Sequence, residues 1–258
     1  TDIVINVSTG GGGYVTYFRS NIVNDAIVFN ITGSNSFIEG NAGPSNQYNG
    51  NASFIINDAL PVYISNSSPS QFNGNLTVTR TVAGATSMFN AGGTITGNYA
   101  YTNNFGGGIG IAGITTNIGG SVSITVNNPA PAVFEMYRLV NQTTGGTISV
   151  QNSIGFVVRY DTLLVTSMSI TGYVGGQYGY LFNNSIAGNV TIADDAGYGG
   201  GYSTVIRNNI ITGNSSFSIN GFNTFQEGDA AAAANIYNGN VTFNGNSAAS
   251  LYISHIDA

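Results

Sequence analysis

The chain contains no cysteine and no lysine, and only 6% of its 258 residues are charged. Each shortage closes a class of explanation. Without cysteine there is neither a disulfide framework nor a thiolate metal site. Without lysine, five arginines face eleven carboxylates for a formal charge of −6. A phosphate backbone needs clustered cations, so nucleic acid is not an expected partner. With a single histidine besides, little is left for acid–base or nucleophilic catalysis, and neither catalytic residues nor a cofactor are expected. No apolar run approaches the roughly 18 residues that a membrane-spanning helix needs. Helical periodicity is absent throughout.

What is present is glycine, 37 residues of it, and asparagine, serine and threonine at nearly every polar position. These residues recur in a phrase. Gly213-Asn214-Ser215-Ser216-Phe217-Ser218-Ile219 returns 26 residues later as Gly239-Asn240-Val241-Thr242-Phe243-Asn244. Turn glycines at Gly50, Gly74, Gly97, Gly120, Gly146, Gly172, Gly188, Gly213 and Gly239 are spaced 23 to 26 residues apart, except for a step of 16 from Gly172 to Gly188. Less regular copies begin at Asp2 and Asp25. A fixed period near 25 residues marks a solenoid. About eleven coils are expected in one domain over 1–258, with a shortened coil near 172–188.

Two and four residues after each glycine the chain is apolar, as at Leu76 and Val78, Tyr99 and Tyr101, and Val122 and Ile124. Period two sends these to one face of a strand, and they are the predicted core. The intervening positions carry Ser53, Thr77, Thr79, Ser123, Thr125, Ser149, Thr191, Ser216 and Thr242, which predicts a flat, hydroxyl-rich outer face suited to lateral packing. A second strand follows about ten residues later, as in Val62-Tyr63-Ile64 and Phe156-Val157-Val158-Arg159. A third leads back to the turn, as in Gly93-Thr94-Ile95 and Met168-Ser169-Ile170. Three short strands per coil predict an all-β parallel β-helix. Asparagines after the first strand, among them Asn30, Asn57 and Asn103, predict an amide ladder. Glycine fits the neighbouring turn because it accepts positive φ.

Charge is not spread evenly. Arg19, Glu39, Glu135, Arg138, Arg159, Asp161, Arg207 and His255 fall on or beside the second strand, a mixed-sign stripe that is a candidate docking edge for a partner. Arg159 and Asp161 are the nearest approach to the carboxylate-and-base sites of polysaccharide-cleaving β-helix enzymes. Asp194 and Asp195 are adjacent carboxylates that offer a start toward calcium, but no spacing motif supplies the remaining oxygen ligands. Thr77-Val78-Thr79 has the Thr-x-Thr form of ice-binding solenoid faces. Most Asn-x-Ser/Thr triplets, such as those at Asn51 and Asn75, are the repeat phrase itself.

The phrases Tyr237-Asn238-Gly239-Asn240-Val241-Thr242-Phe243-Asn244, Gln71-Phe72-Asn73-Gly74-Asn75-Leu76-Thr77-Val78 and Gly188-Asn189-Val190-Thr191-Ile192 resemble the "FNGNVTFNN" repeat of very large cell-surface proteins of Bacteroidota-type bacteria. The likeness is clear over 188–258, fair over 50–79 and faint between. It implies a surface adhesin or appendage fibre exported by the type IX route, although no stretch resembles that route's C-terminal sorting domain. The chain opens on Thr1 in a strand-like run, which predicts a removed leader or a longer parent polypeptide. The expected function is a structural or adhesive segment of an extracellular filament. Its expected partners are like β-helix segments, with cell-surface glycans as candidates. A carbohydrate-active β-helix enzyme and an ice-binding solenoid are the alternatives.

Overall fold

The structure, a computed structural model, describes residues 3–9, 14–33, 36–111, 113–127, 132–151, 154–173, 178–194, 203–219, 224–228, 234–245 and 250–253. All regular structure among them is β-strand. The strands form sheets of eleven, eleven and ten members, called here the first, second and third. Each strand pairs in parallel with its counterpart one coil along, at steps such as Val28 opposite Ser53 and Ser53 opposite Thr77. This is the predicted parallel β-solenoid. Parallel neighbours need a long crossover, and here the rest of the coil supplies it.

The alternation decides which side chains enter the core. Phe54, Leu76, Val78, Tyr99, Tyr101, Val122, Ile124, Ile148 and Val150 are all buried, while residues between them face out. Register then stacks like on like. The rings of Phe29 and Phe54 lie 4.6 Å apart and 9° from parallel, and those of Tyr48 and Phe72 4.8 Å apart and 2° from parallel. Those separations are the strand spacing itself, so an aromatic repeated at one register position stacks on its own copy.

The turn glycines serve a purpose other than positive φ. Gly50, Gly74, Gly97, Gly120, Gly188, Gly213 and Gly239 are absent from the positive-φ residues, Gly146 being the exception at φ 76°. A Cβ on Gly74 would come within 2.7 Å of the Gly50 carbonyl, and one on Gly213 within 2.5 Å of the Gly188 carbonyl oxygen. The backbones of successive turns are too close for any side chain. Where asparagine follows the glycine, it holds the next coil. Asn75 N–H donates to Asn51 Oδ1 (2.9 Å), Asn98 N–H to Asn75 Oδ1 (2.8 Å) and Asn240 N–H to Asn214 Oδ1 (3.0 Å). This ladder runs through the Gly-Asn turn rather than after the first strand. Of the positions predicted there, Asn30 does stack on Asn6 at 2.9 Å. Asn103 instead closes its own loop through Phe105 N–H (3.0 Å).

Two more expectations are corrected. Met168-Ser169-Ile170 belongs to the first sheet, in strand Ser167–Tyr173, between Thr147–Gln151 and Asn189–Asp194. Gly172 is therefore not a turn glycine. It lies where register shifts between Ile170 and Tyr173, with φ 62°, as a β-bulge requires. The missing residues are shared between the steps Thr147 to Ser167 and Ser167 to Asn189, not concentrated in 172–188.

Candidate functional site

Four consecutive second-sheet strands, Val133–Tyr137, Gly155–Arg159, Gly179–Phe182 and Ser203–Arg207, place Tyr137, Arg159, Phe182 and Arg207 opposite one another in that order. Aromatic and cation alternate along one column. The Arg159 guanidinium carbon lies 4.3 Å from the Tyr137 ring centre and 5.8 Å from that of Phe182, while Arg207 lies 5.3 Å from Phe182. Beside this column Tyr180 stacks on Tyr178 at 5.4 Å and 9°. The column, with Val157, Tyr180, Val205 and Gln226, lines a groove of about 450 Å³. Burial, and then the charge of Glu135 hydrogen-bonded to it, pushes the Tyr137 hydroxyl up to about 12.

Arg159 is half-buried, and its guanidinium contacts only rings, those of Tyr137, Tyr160 and Phe182. No hydrogen-bond or ion-pair acceptor meets it among the described residues. At the adjoining corner Arg138 lies 5.6 Å from the Tyr160 ring and donates to the Gly113 carbonyl at 2.9 Å. Arg19 stands apart, in the first coil, 5.9 Å from Tyr17.

Glu39 and Asp161 leave the predicted stripe, because both side chains turn inward; they are 0% and 2% exposed. Glu39 accepts from Asn46 Nδ2 (2.5 Å), Tyr48 Oη (3.0 Å) and Ser70 Oγ (2.6 Å) on one oxygen and from Ser65 N–H (2.6 Å) on the other. Burial raises its carboxyl above the ordinary value, against those hydrogen bonds. The same device recurs near the other end, where Asn235 and Tyr237 donate to Glu227 at 2.6 and 3.2 Å.

Asp161 sits in a buried ladder that is otherwise asparagine. Asn184, Asn209 and Asn235 each accept a backbone N–H on Oδ1, at 3.0, 3.1 and 3.0 Å. Each donates Nδ2 to a second-sheet carbonyl, of Val158, Leu181 and Ile206 respectively. Asp161 Oδ1 accepts Leu139 N–H at 2.7 Å, and its buried Oδ2 has no partner. That oxygen occupies the place where its neighbours carry an NH₂ donor. Burial pushes this carboxyl well above its ordinary value, against the backbone hydrogen bonds it accepts. Asp161 is therefore buried, while the Arg159 guanidinium lies among the Tyr137, Tyr160 and Phe182 rings.

A further charged residue escaped the sequence reading. Arg80, 1% exposed, continues the inward phase of Leu76 and Val78. Its guanidinium donates to the carbonyls of Val82, Ala85, Asp58 and Leu60 and to Thr86 Oγ1. The clue was its phase, since it stands where the alternation calls for an apolar residue. Glu39, after Phe37, and Glu227, after Phe225, stand in the same phase.

On the outer face of the first sheet, Thr79, Thr102, Thr125, Ser149, Ser169, Thr191, Ser216 and Thr242 fall in one unbroken file. A parallel file holds Ser53, Thr77 and Ser123 but is broken by Ala100. Asp195 and His255 lie outside the described residues, as does the side chain of Asp194. Among the described residues no three His, Asp or Glu side chains gather as a metal site would need, and no helix is long and apolar enough to cross a membrane. No family model, curated protein or solved structure matches the chain. The second-sheet column can hold an anion or stack on a flat ring, because it offers guanidinium donors and aromatic faces together.

Proposed function

We propose that the chain is a non-catalytic structural and adhesive segment of an extracellular filament, in which β-helix coils stack end to end and rods pack side by side. The observation that carries this reading is at the two outermost coils. Ile5, Val7 and Phe18 at one end, and Tyr237, Val241 and Phe243 at the other, line up with the core yet are only partly buried. Ile3, Leu251 and Tyr252 are exposed beside them. Open strand edges and half-covered apolar columns offer a surface on which the end coil of another copy can pair. The resemblance to appendage repeats supports the same reading. The inward turn of Asp161 removes the carboxylate on which a polysaccharide-cleaving reading rested. Sedimentation velocity on concentrated protein is the test. Species growing in multiples of 26.6 kDa, seen by electron microscopy as rods lengthening by roughly 50 Å per segment, are the expected result. A single monomeric boundary at every concentration contradicts it.

The unbroken hydroxyl file favours a second reading, in which the first sheet's outer face orders water against ice. Thermal hysteresis that disappears in Thr79→Tyr and Thr125→Tyr is its test, and no hysteresis in the parent protein ends it.

A further inference from the structure

Cationic charge is scarce in this molecule and is gathered in one place. Of five arginines, Arg80 is buried and Arg19 stands over Tyr17 in the first coil. The other three lie in nearby coils: Arg159 and Arg207 alternate with Tyr137 and Phe182 at one register position, and Arg138 stands beside Tyr160. A surface of net negative charge thus holds one cationic groove, walled by aromatic faces. We propose that this groove binds an extended acidic polysaccharide, a chain of uronate sugars, laid along the solenoid axis.

Three observations select that chemistry. First, the Arg159 guanidinium carbon lies 4.3 Å from the Tyr137 ring centre and 5.8 Å from that of Phe182, and no acceptor meets its N–H groups among the described residues. A planar fork held by rings is prepared to take a carboxylate with two parallel hydrogen bonds, and among the described residues nothing else accepts from it. Second, the rings that flank it offer the flat apolar surface on which the C–H face of a pyranose sits, as a bare carboxylate would not require. Third, Arg159 and Arg207 are two coils apart, about 10 Å at the spacing of parallel strands. A uronan advances by about one strand spacing per sugar, so alternate carboxylates on one side of the chain meet alternate coils. Single-stranded nucleic acid also stacks on aromatics beside arginine, but its continuous phosphates demand more cations than a chain of charge −6 presents. The inference goes beyond the filament reading, because one solenoid binds whether or not coils stack end to end.

Isothermal titration with hexagalacturonate and hexamannuronate tests it, with neutral galactohexaose and an oligothymidylate as comparators. At least one uronate hexamer is expected to bind, more weakly as salt rises, while the neutral sugar does not. Arg159→Lys keeps the charge but loses the fork, and should weaken binding about tenfold or more. Arg159→Ala should abolish it, and Arg19→Ala, far from the groove, should leave it unchanged. Circular dichroism melts establish that each variant is folded. Failure of both uronates to bind the parent protein, equal binding by folded Arg159→Ala, or tighter binding of the oligothymidylate would each overturn the proposal.

Discussion

Arg80 and Arg159 lie in similar coils, one in the first sheet and one in the second, and they meet opposite fates. Arg80 points inward and has an acceptor for each of its nitrogens, two of them shared. Arg159 points outward, is clasped by rings, and contacts no acceptor among the described residues. A guanidinium whose hydrogen bonds are complete belongs to the fold, since a buried donor left over is costly. One that is held rigidly with its donors unspent is suited to something outside the chain. The carboxylates repeat the lesson. Glu39 receives four hydrogen bonds, whereas Asp161 has one oxygen with none.

The largest expected effect that bears on this contrast is that of Arg80→Ala. It strands the carbonyls of Asp58, Leu60, Val82 and Ala85 around a cavity, and should cost about 3–5 kcal/mol in urea unfolding. Arg159→Ala measured alongside should sit at the other extreme, at about 1 kcal/mol or less, because only ring contacts are lost. Between them falls Gly213→Ala, whose Cβ would overlap the Gly188 carbonyl. About 1–3 kcal/mol of overpacking strain is expected there, appearing as a lower midpoint with an unchanged m-value.

Asp161→Asn sharpens the comparison from the other side, because it restores the missing donor of the ladder. With its carboxyl raised above 3.8 in the fold, the acid's stabilising contribution is complete at pH below the unfolded value. It is lost as pH rises through the folded one. Asn does not titrate, so the variant should gain about 1–3 kcal/mol at pH 7 and nothing at pH 3. A melting-temperature series from pH 3 to 8, on parent and variant, reads this directly. Glu39, also raised, should leave the variant with a residual decline in the same direction.

Much of the architecture was legible in the chain, since period and alternation together specify coils, three strands and the inward residues. Leu76 and Val78 announce themselves by position alone. The turn glycines were found for the wrong reason, because a single coil read in isolation does not reveal how closely the next one lies upon it. Gly172 was mistaken for a turn because a bulge glycine and a turn glycine look alike in one dimension. The functional edge was only half legible. Charge marks Arg159 and Arg207 in the sequence, but the rings that alternate with them, Tyr137 and Phe182, come from different coils and meet them only in register. Glu39 and Asp161 were misplaced because a side chain's charge suggests solvent, while its phase, which counts residues from Phe37 or continues an asparagine ladder, places it inside.

Thermal melting of Arg80→Lys and Arg159→Lys, each with and without hexagalacturonate, puts the distinction between the two arginines to the most direct trial. A ligand that binds only the folded state raises its melting temperature. Arg80→Lys is expected to melt lower than the parent protein yet keep the full ligand-induced rise, while Arg159→Lys melts as the parent does and shows a smaller rise at the same ligand concentration. Equal loss of stability in both variants, or an undiminished rise in Arg159→Lys, contradicts this.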